Sequence, residues 1–194
     1  MSNEKQDGKK RMKKDILYSE KPVCFTLLPL KMDDAEDLAE TANNKKIAEK
    51  LRDSFPHPYA IQDAEIFIAS CIQKGDEAAL VRGISVNDHV AGIISITPLT
   101  DIYRKTAELG FFLAEKYWRR GIMTNAVGQI CQDAFERYHL ERIFAEVFLH
   151  NTASRRVLEA NGFNLEGIKK RSVCKYGQIY DSCMYALLPE LSLD

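Results

Sequence analysis

Apolar and polar positions alternate with two different periods along this chain, and the change of period marks out its elements. Val23 to Pro29 is rich in strand formers. Asp33 or Asp34 can then cap a helix running to about Arg52. The segment Ser54-Phe-Pro-His-Pro-Tyr59 is a proline-broken loop with aromatic residues. Gln62 and Asp63 open a second helix through about Lys74, with Ile66, Phe67 and Ile68 expected inside. Ala79–Val86 and Val90–Thr97 are apolar runs around Asn87-Asp88, the pattern of a β-hairpin. Lys105–Leu113 reads as another strand. Arg120–Tyr138 reads as a helix whose Met123, Ala126, Val127, Ile130, Cys131, Ala134 and Phe135 fall on one stripe. Arg142–Leu149 alternates, with Ile143, Ala145, Val147 and Leu149 on one face and Phe144, Glu146 and Phe148 on the other. Thr152–Ala160 is a short helix, with Asn151 as its N-cap and Gly162 at its end. Leu165–Lys175 and Ile179–Leu188 form a final strand pair around Tyr176-Gly177.

This order predicts an α/β chain of the α+β type, a mixed, mostly antiparallel sheet of about seven strands with about four helices on both faces. The length of 194 residues suits one domain, taken as 15–194, after a polar, basic and flexible tail at 1–14. A net charge of −1 and the lack of basic–aromatic interleaving argue against nucleic acid as the main partner. No apolar run reaches the roughly 20 residues a membrane span needs, and no signal-peptide core opens the chain, so a cytoplasmic location is expected. Five cysteines (Cys24, Cys71, Cys131, Cys174, Cys183) include no C-x-x-C pair, and the four histidines lack ligand spacing. Neither a disulfide framework nor a metal site is expected. Cys174 and Cys183 have no sequence-evident His partner, which argues against a thiol nucleophile.

The densest chemistry lies between Glu108 and Phe163. Glu108-Leu-Gly-Phe-Phe-Leu113 ends a strand, and Trp118-Arg-Arg-Gly-Ile-Met-Thr124 leads into a helix. A helix N-terminus offers unpaired N–H groups and partial positive charge, a natural place for phosphate. Gly121 allows close backbone approach, and Arg119 and Arg120 add cationic charge.

These residues resemble the pyrophosphate-binding motif of the GNAT superfamily of acyl-CoA-dependent N-acyltransferases, Q/R-x-x-G-x-G/A. They are closest to its RimJ/RimL branch, which acetylates ribosomal-protein N-termini and in which a Trp commonly fills the first motif position, as Trp118 does here. Met123 departs from the motif, standing where the family has Gly or Ala. The string Asn151-Thr-Ala-Ser-Arg-Arg-Val-Leu-Glu-Ala-Asn-Gly-Phe163 resembles the same branch, as do Phe55-Pro-His-Pro-Tyr59 and Tyr176-Gly-Gln-Ile-Tyr-Asp181. The resemblance covers roughly residues 23–188.

It implies an N-acetyltransferase in which an amine attacks the thioester of acetyl-CoA directly. The acceptor would be a protein N-terminal amine or a small-molecule amine, and the sequence leaves a homodimer open. Phe112, Leu113, Trp118, Arg119, Arg120, Gly121, Ile122, Met123 and Thr124 would contact CoA, and Asn151 its pantetheine arm. The amine must be neutral to attack. Deprotonation at pH 7 costs about 1.4 kcal/mol for an α-amine and about 4.6 kcal/mol for a lysine. Two carboxylates are candidate bases: Glu108, on a strand face with Gly110 and Phe112, and Glu146, whose neighbours Phe144 and Phe148 could raise its pKa. Ser154 is the proton donor to the CoA sulfur that the resemblance implies; it could equally be a capping hydroxyl. Many relatives use a Tyr one turn later, where this chain has Leu158. Phe55, His57, Tyr59, Tyr176 and Asp181 would line the acceptor pocket, or serve as packing and turn residues. A CoA-binding sensor without turnover on the same fold is the alternative reading.

Overall fold

Antiparallel pairing carries the chain from its first described strand to its last, with one exception that shapes the site. The structure, a computed structural model, describes residues 23–189; the basic tail expected at 1–14 lies outside them. β1 (Thr26–Leu28), β2 (Leu80–Val86), β3 (His89–Pro98), β4 (Thr106–Leu113), β5 (Arg142–Phe148), β6 (Asn164–Lys175) and β7 (Gln178–Leu187) form one seven-stranded sheet in the order β1-β2-β3-β4-β5-β7-β6. Only β4 and β5 pair in parallel, over three register pairs from Thr106↔Arg142 to Glu108↔Phe144. The crossover between them is α4 (Ile122–Tyr138).

The local chemistry of the turns explains the register. Asn87 and Asp88 both take positive φ (52° and 65°), as a two-residue hairpin turn requires, and join β2 to β3. Tyr176 and Gly177 (φ 50° and 75°) do the same between β6 and β7. β6 is irregular between Lys169 and Val173, where Arg171 takes φ 53°. There Asp181 of β7 accepts from the Arg171 N–H at 2.8 Å and from Lys170 Nζ at 2.9 Å, filling the gap in the ladder. These two donors hold the Asp181 carboxyl below its usual range.

Two apolar layers cover the sheet. On one face α4 and α5 (Thr152–Ala160) bury Ile122, Met123, Ala126, Val127, Ile130 and Leu158 against Ile94, Leu109, Ile143 and Ala145. Burying each large aliphatic side chain of this kind is worth roughly 1.5–3 kcal/mol. The other face carries α1 (Ala35–Ala42) and α3 (Ile61–Ala78), with Leu38, Ala64 and Ile68 packed on Val90 and Ile93.

Three expectations change. The long helix expected from Asp33 or Asp34 to Arg52 is a 3-10 turn (Met32–Asp34), then α1, then α2 (Lys45–Ala48), so five α-helices are described instead of four. Asn44 breaks it: its side chain accepts from the Lys46 N–H at 2.8 Å and starts a new helix. Ile66, expected inside α3, is 70% exposed, because the helix phase turns Ala64 and Ile68 inward instead. The helix expected to begin at Arg120 begins at Ile122, capped by Gly121 at φ 77°. Met123, the departure from the resemblance, is buried on the stripe as its phase requires.

Candidate active site

Beyond Glu108 and Phe144 the two parallel strands separate. Ala114 N–H donates to Ala91 O and Leu99 N–H to Thr106 O, which fixes the residues of β4 that bond to β3. By alternation, Phe111 and Leu113 turn their backbone groups the other way, toward β5. On β5, Leu149 N–H donates to Asp181 O, so Glu146 turns its backbone groups toward β4. The result is a cleft at the carboxyl ends of the parallel pair, and crevices outside the carboxyl ends of strands are where open sheets commonly bind ligands.

Two helix N-termini follow the carboxyl ends of these strands. α4 begins at Gly121, whose positive φ lets the chain turn from the loop into the helix. A side chain added at Gly121 would meet no atom within 4 Å, so open space lies over this helix end. Trp118 braces the loop by donating from Nε1 to Leu113 O at 2.7 Å, and Lys50 Nζ lies 5.3 Å from its ring centroid. Arg119 takes φ 61° within the same loop. The N–H groups of Ile122, Met123 and Thr124 lie in the first turn, where no intrahelical acceptor exists. α5 begins at Asn151, whose Oδ1 accepts from Ser154 N–H at 3.3 Å while Nδ2 donates to Ser154 Oγ at 2.9 Å. Asn161 at the far end of α5 donates to Thr124 O at 3.0 Å and fixes the two helices together.

The two candidate carboxylates have different surroundings. Glu108 pairs with Arg52, a residue 56 positions earlier whose side chain is 71% exposed. Glu146 accepts from Lys169 Nζ at 2.8–2.9 Å and from Ser182 Oγ, which also shares a 2.7 Å hydrogen bond with Ser172. The expectation of a raised Glu146 pKa is therefore overturned. Burial pushes it up, but the hydrogen bonds from Lys169 and Ser182 and the charges of Lys169 and Arg52 outweigh that and leave it lowered.

The acceptor residues expected from sequence fall into two places. Phe55, His57 and Tyr176 line one open pocket of about 430 Å³ with Asp53, Cys174 and Lys175. Tyr59 is buried behind it, 5.0 Å from the Phe55 ring, and Phe55 meets Phe112 of β4 edge-on at 5.3 Å. Burial, with the nearby Asp63 adding to it, pushes the Tyr59 hydroxyl up to about 12. Asp181 borders a second pocket with Leu149, His150 and Tyr180, away from the other four. Sequence reasoning missed Arg52, Asp53 and Lys175. Their partners lie 56 and 122 positions away, and no local pattern announces such pairs.

An open sheet that parts at its parallel pair, with a glycine-capped helix leading off the first of those strands, is the architecture of the GNAT fold. The family model for the acetyltransferase (GNAT) domain matches residues 25–164, and the chain belongs to that family. It is 36% identical over 117 residues to the probable N-acetyltransferase YjcK of Bacillus subtilis, covering 60% of this chain and 65% of that one. It is 31% identical over 116 residues to the putative ribosomal N-acetyltransferase YdaF of the same organism, covering 60% and 63%. The matches thus span less than two thirds of each relative's own length. Among solved structures, the microcin C7 self-immunity acetyltransferase MccE, in complex with acetyl-CoA and AMP, superposes with a TM-score of 0.75 at 27% identity, over 85% of this chain and 92% of that one.

Proposed function

We propose that this chain transfers the acetyl group of acetyl-CoA to a primary amine by direct attack, with a protein N-terminal α-amine as the favoured acceptor. The observation that carries the reading is the cleft between β4 and β5, followed by the N-terminus of α4. It fits the shape and chemistry of the co-substrate. The first-turn N–H groups of Ile122, Met123 and Thr124, with Arg119 and Arg120, suit the pyrophosphate. The backbone groups of Phe111 and Glu146 and the Leu113 N–H suit an amide-bearing arm laid along the gap, and the Phe111 N–H suits the thioester oxygen as it gains charge.

The residues then divide the proton work. The amine nitrogen bonds to the acetyl carbon and the carbon–sulfur bond breaks. The proton lost by nitrogen goes to Glu108 or to a water it orients, and the thiolate takes a proton from Ser154, which regains one from solvent as Glu108 releases its own. Glu146 is the weaker base, since Lys169 and Ser182 already occupy its carboxylate. Among the described residues Glu108 pairs with the exposed Arg52, which an entering acceptor can displace. The small cost of deprotonating an α-amine, compared with a lysine, favours the former where no strongly basic group is present.

The test is to incubate the protein with acetyl-CoA and a panel of N-terminal peptides, polyamines and aminoglycosides, following thiol release and acceptor mass. Acetylated α-amines at a rate that falls at least tenfold in Glu108→Gln support the reading. CoA binding with no acceptor modified would make the chain a CoA-binding sensor, and no CoA binding would remove the reading altogether.

A further inference from the structure

Lys175 is 4% exposed, yet it carries an ammonium group. Such a group has three donors and loses hydration when buried, so it needs anionic or polar partners. Its one hydrogen bond among the described residues goes to Asp53 Oδ1 at 2.7 Å, and its ammonium lies 4.8 Å from the Tyr176 ring centroid. The Asp53 side chain is 75% exposed, so the anion side of this pair is open to solvent and held through one oxygen. Lys175 therefore keeps donor capacity, and it lines the 430 Å³ pocket whose apolar walls come from Phe55 and Tyr176. That volume is within the usual range for small-ligand sites.

The pocket adjoins the cleft on two sides. Asp53 follows Arg52, the partner of Glu108, and adjacent Cα atoms lie about 3.8 Å apart. Phe55 touches Phe112 on β4. Arg52 and Phe55 thus link the pocket that holds Lys175 to the strand that carries Glu108.

We infer that Lys175 is a specificity-determining residue that recognises a carboxylate on the acceptor, so that the preferred substrate is an amine bearing an acidic group one or two residues beyond it. This rests on the acceptor site of the proposed function. Asp53 is the built-in occupant of the Lys175 ammonium. It compensates the buried charge while the pocket is empty and yields to the substrate carboxylate when the pocket fills. Peptides with Asp or Glu at the second or third position meet the requirement, and so does a free acidic amino acid. Polyamines do not, because they carry no carboxylate for Lys175 to bind.

Steady-state kinetics at saturating acetyl-CoA test this with three peptides differing only in Glu, Ala or Lys at positions two and three, beside free glutamate. The wild-type protein should favour the Glu peptide over the Ala peptide at least tenfold in kcat/KM, and the Lys peptide should be poorest. Lys175→Met should bring the Glu-to-Ala ratio close to one. Should Lys175→Met fail to fold, Asp53→Asn decides, because it keeps the buried lysine and removes the negative charge that competes for it: KM for the Glu peptide should fall severalfold while kcat holds. Free glutamate turned over as well as the Glu peptide would make the acceptor a small molecule of the same chemistry. Equal use of all three peptides by the wild-type protein overturns this inference alone. Failure to acetylate any amine overturns the proposed function instead.

Discussion

Asn151 holds Ser154 at both ends: its Oδ1 accepts from the Ser154 N–H and its Nδ2 donates to the Ser154 hydroxyl oxygen. The arrangement takes a lone pair of that oxygen and leaves its proton directed elsewhere. Ser154→Ala should therefore lower kcat by about 10²-fold, the low end for a lost general acid, with little change in CoA affinity. Rapid-quench or steady-state thiol release gives the number; an unchanged kcat would leave Ser154 as a capping hydroxyl only.

The same pair predicts a stability effect. Asn151→Ala removes the cap of α5 and should cost about 1 kcal/mol, lowering Tm by roughly 2–4 °C in a chain of this size. Asn151→Asp keeps the acceptor and should recover most of the loss. Thermal melting followed by circular dichroism distinguishes the two.

Gly121 has φ 77°, where a side chain costs about 1–2 kcal/mol. Gly121→Val should also fill the open space at the start of α4. CoA affinity by calorimetry should drop at least tenfold, and by more than in Ser154→Ala. Equal losses would contradict the separation of binding and proton-transfer roles.

Gly92 supports the cleft from behind. A Cβ there would lie 2.4 Å from Phe112 O and 3.0 Å from Leu113 Cα, both backbone atoms of β4. Gly92→Ala should destabilise the fold by about 1–3 kcal/mol or more and weaken CoA binding through displaced Phe112 and Leu113. Urea unfolding read alongside CoA titration checks both.

The lowered Glu146 pKa fixes the sign of a pH effect. The stabilisation is present above the unfolded-state pKa, near 4.3, and is lost as pH falls through the lower folded-state value. Glu146→Gln should thus be less acid-sensitive than the wild type below about pH 4.5. Its kcat/KM profile should keep its limb near neutrality. A lost neutral limb would return Glu146 to the role of base.

Legibility from sequence followed the range of the interaction. Asn87-Asp88 and Asn151 act on their nearest neighbours, and each announced its turn or cap, whereas Gly121 announced only a close approach of the backbone and not the start of α4. The stripe on α4 was legible for the same reason, since its period is local. Asn44 was also a local signal, but a continuous helical pattern on either side concealed the break. The candidate site was legible where two motifs bracket it and not where distant residues complete it. Glu146 shows why: its phenyl neighbours lie two positions away on the same strand, whereas Lys169 and Ser182, which reverse the direction of its shift, come from other strands.

The short contact between β4 and β5 has a mechanical consequence. Four strands stand on one side of it and three on the other, joined across only three residue pairs. That line is a seam, the place where the sheet is least stitched. A ligand whose amides bond to both lips acts as a suture, tying the two halves into one mechanical body. Amide exchange in the empty protein should then be fastest along the lips, and filling the cleft should slow it on both sides at once.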